Sequence, residues 1–178
     1  MITILCPGMH DEAATASFLR ILSPPSPCLT FPAHIQPAYS PHHLVAWLET
    51  HQLPWEQGVC FVAFSAGVVG GLGAARYLWR KHIPVDGFIA IDGWGVPLFE
   101  PFPLHRLSHD QVTHDMSLLL GPHDGDHFYA TPPVDHLTIW RSPHQVTGWR
   151  TTAQSPPQQT TAAAFLRMLL HRYSAPVR

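Results

Sequence analysis

One stretch near the middle of the chain, residues 58–75 (GVCFVAFSAGVVGGLGAA), limits the folds that the chain can adopt. It begins with an apolar run rich in strand-forming residues, Val59–Phe64, and continues as a small-residue segment of helical character. Ser65 stands between the two, with the small residues Ala63 and Gly67 two positions away on either side. This pattern predicts a buried strand that turns sharply into a closely packed helix. The serine hydroxyl would then stand at the rim of a sheet, beside the positive end of the helix.

Strands and helices alternate along the rest of the chain. Short apolar strands are predicted at residues 2–6, 28–31, 88–91 and 104–108, with helical patterns between them. Such alternation favours an α/β fold, a three-layer sandwich with a mostly parallel central sheet. Right-handed crossovers would bring the C-terminal ends of the strands to one edge, where functional residues are expected.

The C-terminal half contains two proline-containing segments that we interpret as helix starts. Residues 131–133 (TPP) predict a short helix, and residues 155–158 (SPPQ) match the S-x-x-Q capping box and predict the last helix. Residues 121–127 are interpreted as a turn-rich loop. No internal repeat or domain boundary is evident, so residues 1–178 are expected to form a single domain.

The composition excludes several classes of protein. Hydrophobic residues make up 46% and charged residues 12% of the chain, which is typical of a globular protein. The net charge of −2 without a basic block argues against binding to nucleic acid. No apolar run approaches the roughly 20 residues of a membrane helix, so no membrane association is expected. Three cysteines in strand-like runs, and no sign of a signal peptide, favour a reducing, cytoplasmic location.

The A-x-S-x-G motif at Ala63, Ser65 and Gly67 resembles the nucleophile elbow of the α/β-hydrolases. The resemblance extends over residues 2–92 and is loose beyond them. It implies a compact α/β-hydrolase-like domain, a small serine esterase-like member of that superfamily, with Ser65 as the nucleophile.

The resemblance also implies an oxyanion hole. One donor would be the backbone N–H of Ala66, the residue after the nucleophile. Residues 7–10 (PGMH) look like the H-G loop of small α/β-hydrolases, which would make the Met9 N–H the second donor. Pro7 departs from the family at a position where histidine often occurs, and a plain Pro-Gly turn is an equally good interpretation.

A serine nucleophile needs a histidine base and an acid that orients it, in the chain order serine, acid, histidine. Two assignments remain open. In one, Asp110 orients His136, and in the other, Asp92 at the end of a strand orients His109. Each residue also has a structural interpretation, since Asp110 could cap a helix and Asp92-Gly93 is a common turn dipeptide.

No cofactor and no metal are expected. Residues 123–127 (HDGDH) contain possible metal ligands, but their glycine argues against a helix and they are better explained as a solvated loop. Neither a P-loop nor a dinucleotide-binding motif is present. The chain nevertheless contains 14 histidines, so a histidine-rich metal binder is kept as the weakest of three hypotheses for its function.

The main expectation is hydrolysis of a small carboxylic ester or thioester through a Ser-His-Asp triad and an acyl-enzyme. The apolar segment at residues 93–103 could line an acyl pocket, which would favour a small-molecule acyl ester substrate over a charged one. It could equally pack on the core or form a subunit contact in a homo-oligomer. The alternative function is a catalytically inactive hydrolase-fold module for binding or assembly.

Overall fold

The computed structural model describes residues 1–25, 27–122 and 124–175. The strands are β1 (Ile2–Cys6), β2 (Cys28–Thr30), β3 (Val59–Phe64), β4 (Val85–Ile91), β5 (Leu104–Ser108), β6 (His127–Ala130), β7 (Thr147–Thr152) and β8 (Ser155–Thr161). The α-helices are α1 (Glu12–Leu22), α2 (Pro41–Glu49), α3 (Ala66–Arg80), α4 (Gln111–Leu118), α5 (His136–Arg141) and α6 (Ala162–Ser174). A short 3-10 helix spans Trp55–Gln57. In the described ranges, no helix is long and apolar enough to cross a bilayer.

The strands form one sheet in the order β2-β1-β3-β4-β5-β6-β7-β8. Strands β1 to β6 pair in parallel, and β7 and β8 add an antiparallel hairpin at one edge. The expectation of a mostly parallel α/β sheet is therefore confirmed. Because β3 lies inside the sheet between β1 and β4, Ser65 follows a strand that is supported on both sides.

Both faces of the sheet are covered by helices. Alternate residues of β3 enter opposite cores, Phe61 and Ala63 on one face and Val62 and Phe64 on the other. Side chains of α2 and α3 complete the first core, and side chains of α1, α5 and α6 complete the second. This arrangement confirms the three-layer sandwich.

The interpretation of residues 155–158 as a helix start is wrong, because they begin the edge strand β8. Pro156 and Pro157 are exposed there, at the border of the sheet, where a residue without an N–H group is tolerated. Helix α6 begins after Thr161, whose hydroxyl accepts a hydrogen bond from the Ala164 N–H. The capping signal in SPPQ was thus overridden by pairing with β7.

Two further boundaries differ from the sequence-based predictions. Residues 131–133 do not start a helix, since α5 begins only at His136, after Asp135. The loop predicted at residues 121–127 ends one residue earlier, because His127 begins β6, a short strand that the sequence pattern did not reveal. Both differences bear on the position of His136, because the β6–α5 connection leads to this residue at the C-terminal edge of the sheet.

Candidate active site

Ser65 occupies a strained turn between β3 and α3. Its backbone angles, φ 53° and ψ −123°, are rare for residues other than glycine and cost free energy that the surroundings must supply. The Ser65 N–H donates to the Ile91 carbonyl at 2.9 Å, and the Val68 N–H donates to the Ser65 carbonyl at 3.0 Å. Ser65 is partly exposed, whereas Phe64 before it is buried. Ser65 therefore lies at the rim of the sheet, between the end of β3 and the start of α3.

Glycines allow the segments around Ser65 to approach one another. A Cβ atom on Gly67 would lie 2.2 Å from the carbonyl oxygen of Cys6, so the first turn of α3 is in contact with the end of β1. A Cβ atom on Gly8 would lie 3.0 Å from the Cβ of Ser65. The loop that contains Met9 therefore lies directly beside the serine, and Met9 itself is 71% exposed.

Asp92 lies at the C-terminal end of β4, one strand away from Ser65. Its side chain is fully buried, and its backbone has φ 50°. Oδ1 accepts the backbone N–H of His109 at 2.9 Å, while Oδ2 lies 2.9 Å from Nδ1 of His109 and 2.8 Å from Nδ1 of His136. With the carboxylate ionised, both imidazoles donate from Nδ1–H. Three hydrogen bonds then compensate for the burial of the charge.

Aromatic stacking fixes the position of His136. Its ring stacks on Phe64, the residue before Ser65, with 4.7 Å between the ring centroids. Trp140, one turn later in α5, stacks between Phe64 at 5.0 Å and Phe18 at 3.8 Å. The His136 side chain is 43% exposed. Its Nδ1–H donates to Asp92, so Nε2 is the nitrogen left to accept a proton, which is the tautomer that a general base requires.

The structure combines members of the two acid–base assignments. His136 is hydrogen-bonded to Asp92, not to Asp110, and His109 is bonded to the same carboxylate oxygen. Asp110 caps α4 by accepting the Thr113 N–H at 2.6 Å, and its Oδ2 lies 3.3 Å from Nε2 of His109. Burial would raise the pKa of Asp110, but the Thr113 hydrogen bonds and the neighbouring His109 lower it overall.

Sequence reasoning missed the residues that support this cluster. Phe64 and Trp140 position His136, and each looked like an ordinary core residue in the sequence. Their stacking joins β3 to α5 across more than seventy residues of chain, and no local pattern signals such a contact.

Asp92, His109 and His136 together could hold a metal ion. One ligand atom from each lies within 4.8 Å of the others. The Nδ1-to-oxygen distances of 2.8 and 2.9 Å are those of hydrogen bonds, so a cation would have to displace both Nδ1 protons. In the segment at 123–127, His123 lies outside the described residues. Asp126 there is bound to Arg150 and Arg172 instead of being available as a ligand.

A cavity of about 680 Å³ lies at the opposite edge of the sheet from Ser65. Residues 100–103 line part of it, together with Arg150 and Arg172. In the same apolar segment, Leu98 and Phe102 are buried in the core, whereas Trp94 and Phe99 are each 67% exposed. The segment at 93–103 therefore divides between core and surface, and part of it faces away from the candidate site.

Solved structures of similar fold align with almost the whole chain. YbtT, the type II thioesterase from the yersiniabactin NRPS/PKS biosynthetic pathway, superposes with a TM-score of 0.52 at 14% sequence identity. A serine-to-alanine mutant of that enzyme gives 0.53 at 13%. Both alignments cover 97% of this chain and 92% of the other. No protein-family model and no curated protein sequence matches. Sheet order, layers and superposition together show that the chain has the fold of the α/β-hydrolase superfamily.

Proposed function

We propose that the protein is a serine hydrolase that cleaves a small carboxylic ester or thioester. The observation that carries the proposal is the hydrogen bond between Asp92 Oδ2 and His136 Nδ1, made beside a strained turn that presents Ser65. A thioester is included because the structural neighbour YbtT is described as a thioesterase.

In the proposed reaction, Ser65 Oγ attacks the acyl carbon while Nε2 of His136 accepts the hydroxyl proton. Asp92 holds the imidazole tautomer and stabilises the imidazolium that forms. The N–H groups of Ala66 and Met9 stabilise the negative charge on the tetrahedral oxygen. His136 then returns the proton to the leaving alcohol or thiol as the acyl–oxygen or acyl–sulfur bond breaks. Water, activated by the same histidine, hydrolyses the acyl-enzyme and frees Ser65.

The helix start strengthens the proposed oxyanion site. Ala66 is the first residue of α3, so its N–H has no acceptor within the helix. The partial positive charge of the helix N-terminus is directed to the same point. His10 follows Met9, the second proposed donor. Burial lowers the pKa of the His10 imidazole, so this ring is neutral at pH 7.

The test is covalent labelling with a fluorophosphonate, read by intact mass and by peptide mapping. One adduct on Ser65 is expected in the wild-type protein and none in Ser65→Ala. Ser174→Ala removes an exposed serine at the end of α6 and should label like the wild type. Thermal melting verifies that each variant is folded.

Turnover of short-chain nitrophenyl esters and acyl thioesters completes the test. A folded protein that gives neither an adduct nor Ser65-dependent turnover would contradict the proposal and favour the non-catalytic binding module. Dialysis against a chelator separates a third possibility. The triad requires no metal, so the rate should not fall, whereas a metal hydrolase built on Asp92, His109 and His136 would lose activity.

A further inference from the structure

A second cavity lies at the C-terminal ends of β1 and β2, between helix α1 and the loop that follows β2. Its volume is about 420 Å³, within the range of small-molecule sites in proteins. Its walls come from the loop after β1, from one side of α1 and from the segment after β2. The main lining residues are Pro7, His10, Thr15, Leu19, Phe31 and Ala33.

Ser65 does not line this cavity, but a wall residue of the cavity precedes a residue that lies against Ser65. Pro7 forms part of its wall, and the next residue, Gly8, is in contact with Ser65. His10, another wall residue, packs edge-on against Phe64 with 5.4 Å between ring centroids. In the sheet, β2 and β1 lie on one side of β3, and β4 to β6 lie on the other. In the order of the strands, β3, which ends at Ser65, therefore lies between the strands that end at the cavity and β4, which ends at Asp92.

The chemistry of the walls suits an uncharged chain. Leu19, Phe31 and Ala33 contribute apolar surface. Nε2 of His10 and the hydroxyl of Thr15 are hydrogen-bonded at 2.9 Å, whereas Nδ1 of His10 is buried without a hydrogen-bond partner among the described residues. Burial lowers the pKa of His10, so no positive charge faces the interior at neutral pH.

Two polar residues of the lining, Glu12 and His34, contact each other at the surface. Glu12 Oε1 lies 2.8 Å from Nδ1 of His34, and both side chains are largely exposed. The pair joins the first turn of α1 to the loop after β2. The described lining residues include no lysine or arginine that could bind an anionic group.

We propose that this cavity binds the acyl chain of the substrate, and that the chain is an apolar acyl group of several methylenes. The inference rests on the proposed function, because the ester or thioester carbon must lie at Ser65 while its chain extends past Pro7. The Asp92–His136 side is left to the leaving group and to the hydrolytic water.

The first experiment is a chain-length series of acyl thioesters from acetyl to decanoyl. In the wild type, kcat/KM should rise about fourfold per added methylene until the cavity is filled, as expected for burial of CH₂ groups. Ala16→Trp places a large ring at the cavity rim from an exposed helix position, so the fold should tolerate it. The decanoyl-to-acetyl ratio should fall by at least about tenfold, the loss of two methylenes of burial.

The matched control is Ala13→Trp, an equally exposed position of α1 that does not line the cavity. This variant should keep the wild-type decanoyl-to-acetyl ratio. Equal ratios in the two tryptophan variants, or a flat chain-length profile in the wild type, would overturn the inference.

The second experiment does not depend on catalysis. Decan-1-ol should raise the melting temperature of Ser65→Ala, and of Ser65→Ala combined with Ala13→Trp, but not of Ser65→Ala combined with Ala16→Trp. Binding that is insensitive to Ala16→Trp would contradict the cavity assignment even if hydrolysis is observed. Binding that is sensitive to Ala16→Trp, in a protein without Ser65-dependent turnover, would support the cavity and contradict the hydrolase.

Discussion

Asp92 and His136 are joined by a hydrogen bond of 2.8 Å, although 44 residues of chain separate them. The carboxylate comes from the end of β4, and the imidazole comes from the start of α5, which the Trp140 stack holds against β3. The pair lies at the same edge of the sheet as Ser65, because β3 and β4 end there and α5 begins there. This relationship underlies the first prediction.

Asp92→Asn should lower kcat by about 10³- to 10⁴-fold, because an amide stabilises the wrong tautomer of His136 and cannot stabilise its charged form. The measurement is steady-state hydrolysis of a thioester. Asp110→Asn makes the same chemical change in the neighbouring acid. Asparagine caps helices as well as aspartate does, so its rate should stay within about twofold of the wild type. A larger loss in Asp110→Asn than in Asp92→Asn would restore the assignment of Asp110 as the acid.

His109 is expected to position the carboxylate of Asp92 without contacting substrate. His109→Leu removes the side-chain donor to Oδ2 and keeps the backbone donor to Oδ1. Loss of one hydrogen bond to a charged group should lower kcat about tenfold with little change in KM.

The matched variant for this prediction is His109→Asn, whose amide N–H can replace Nδ1–H. It should recover most of the lost kcat, to within about threefold of the wild type. If asparagine and leucine are equally impaired, His109 does more than hold Asp92. If neither is impaired, the second imidazole is dispensable.

The close approach of α3 to β1 gives a stability prediction. Gly67→Ala would place a methyl group 2.2 Å from the Cys6 carbonyl oxygen, a backbone atom that cannot move independently. Overpacking of this kind costs about 1–3 kcal/mol of unfolding free energy, and it should also displace the Met9 loop from Ser65. Gly71→Ala, in the same helix, meets the Cys6 sulfur only at 3.1 Å and should cost less. Urea unfolding of both variants measures the difference, and an equal cost would contradict the contact.

Stability should depend on pH through His105, which is buried at the edge of the sheet opposite to Ser65. Burial lowers its pKa from 6.5 to about 4, and the Asp126 N–H donates to its Nδ1. A group with a depressed pKa in the folded state binds protons more tightly when unfolded. The contribution of neutral, buried His105 to the unfolding free energy is therefore fully present above pH 6.5 and is lost as the pH falls towards 4.

The unfolding free energy should accordingly decrease by up to about 3 kcal/mol between pH 7 and pH 4 on account of His105 alone. Urea unfolding at several pH values measures the slope. His105→Gln removes the titrating group and should flatten the profile over that window, although other histidines and carboxylates will leave some slope. An unchanged slope would show that His105 does not titrate as its burial implies.

Much of the fold could be predicted from local sequence. The alternation of apolar strands and helices gave the parallel α/β architecture, and the small residues around Ser65 indicated the tight turn. Local patterns failed at β6 and β8, because a four-residue strand has almost no pattern and Pro156-Pro157 is tolerated only at an edge. From the sequence, Asp92, His109 and His136 are named as candidates, but Asp92 is paired with His109 and Asp110 with His136. In the structure, both histidines are hydrogen-bonded to Asp92.

The sequence by itself determined the layered architecture and the serine on a sharp bend, because strand propensity, side-chain size and backbone strain act within a few residues. Only the tertiary structure decided that Asp92 is hydrogen-bonded to both His109 and His136, and that a cavity of small-molecule size is lined in part by Pro7. Those contacts join segments that are far apart in the chain. They depend on strand order and on how Trp140 stacks against Phe64, and neither follows from local preference.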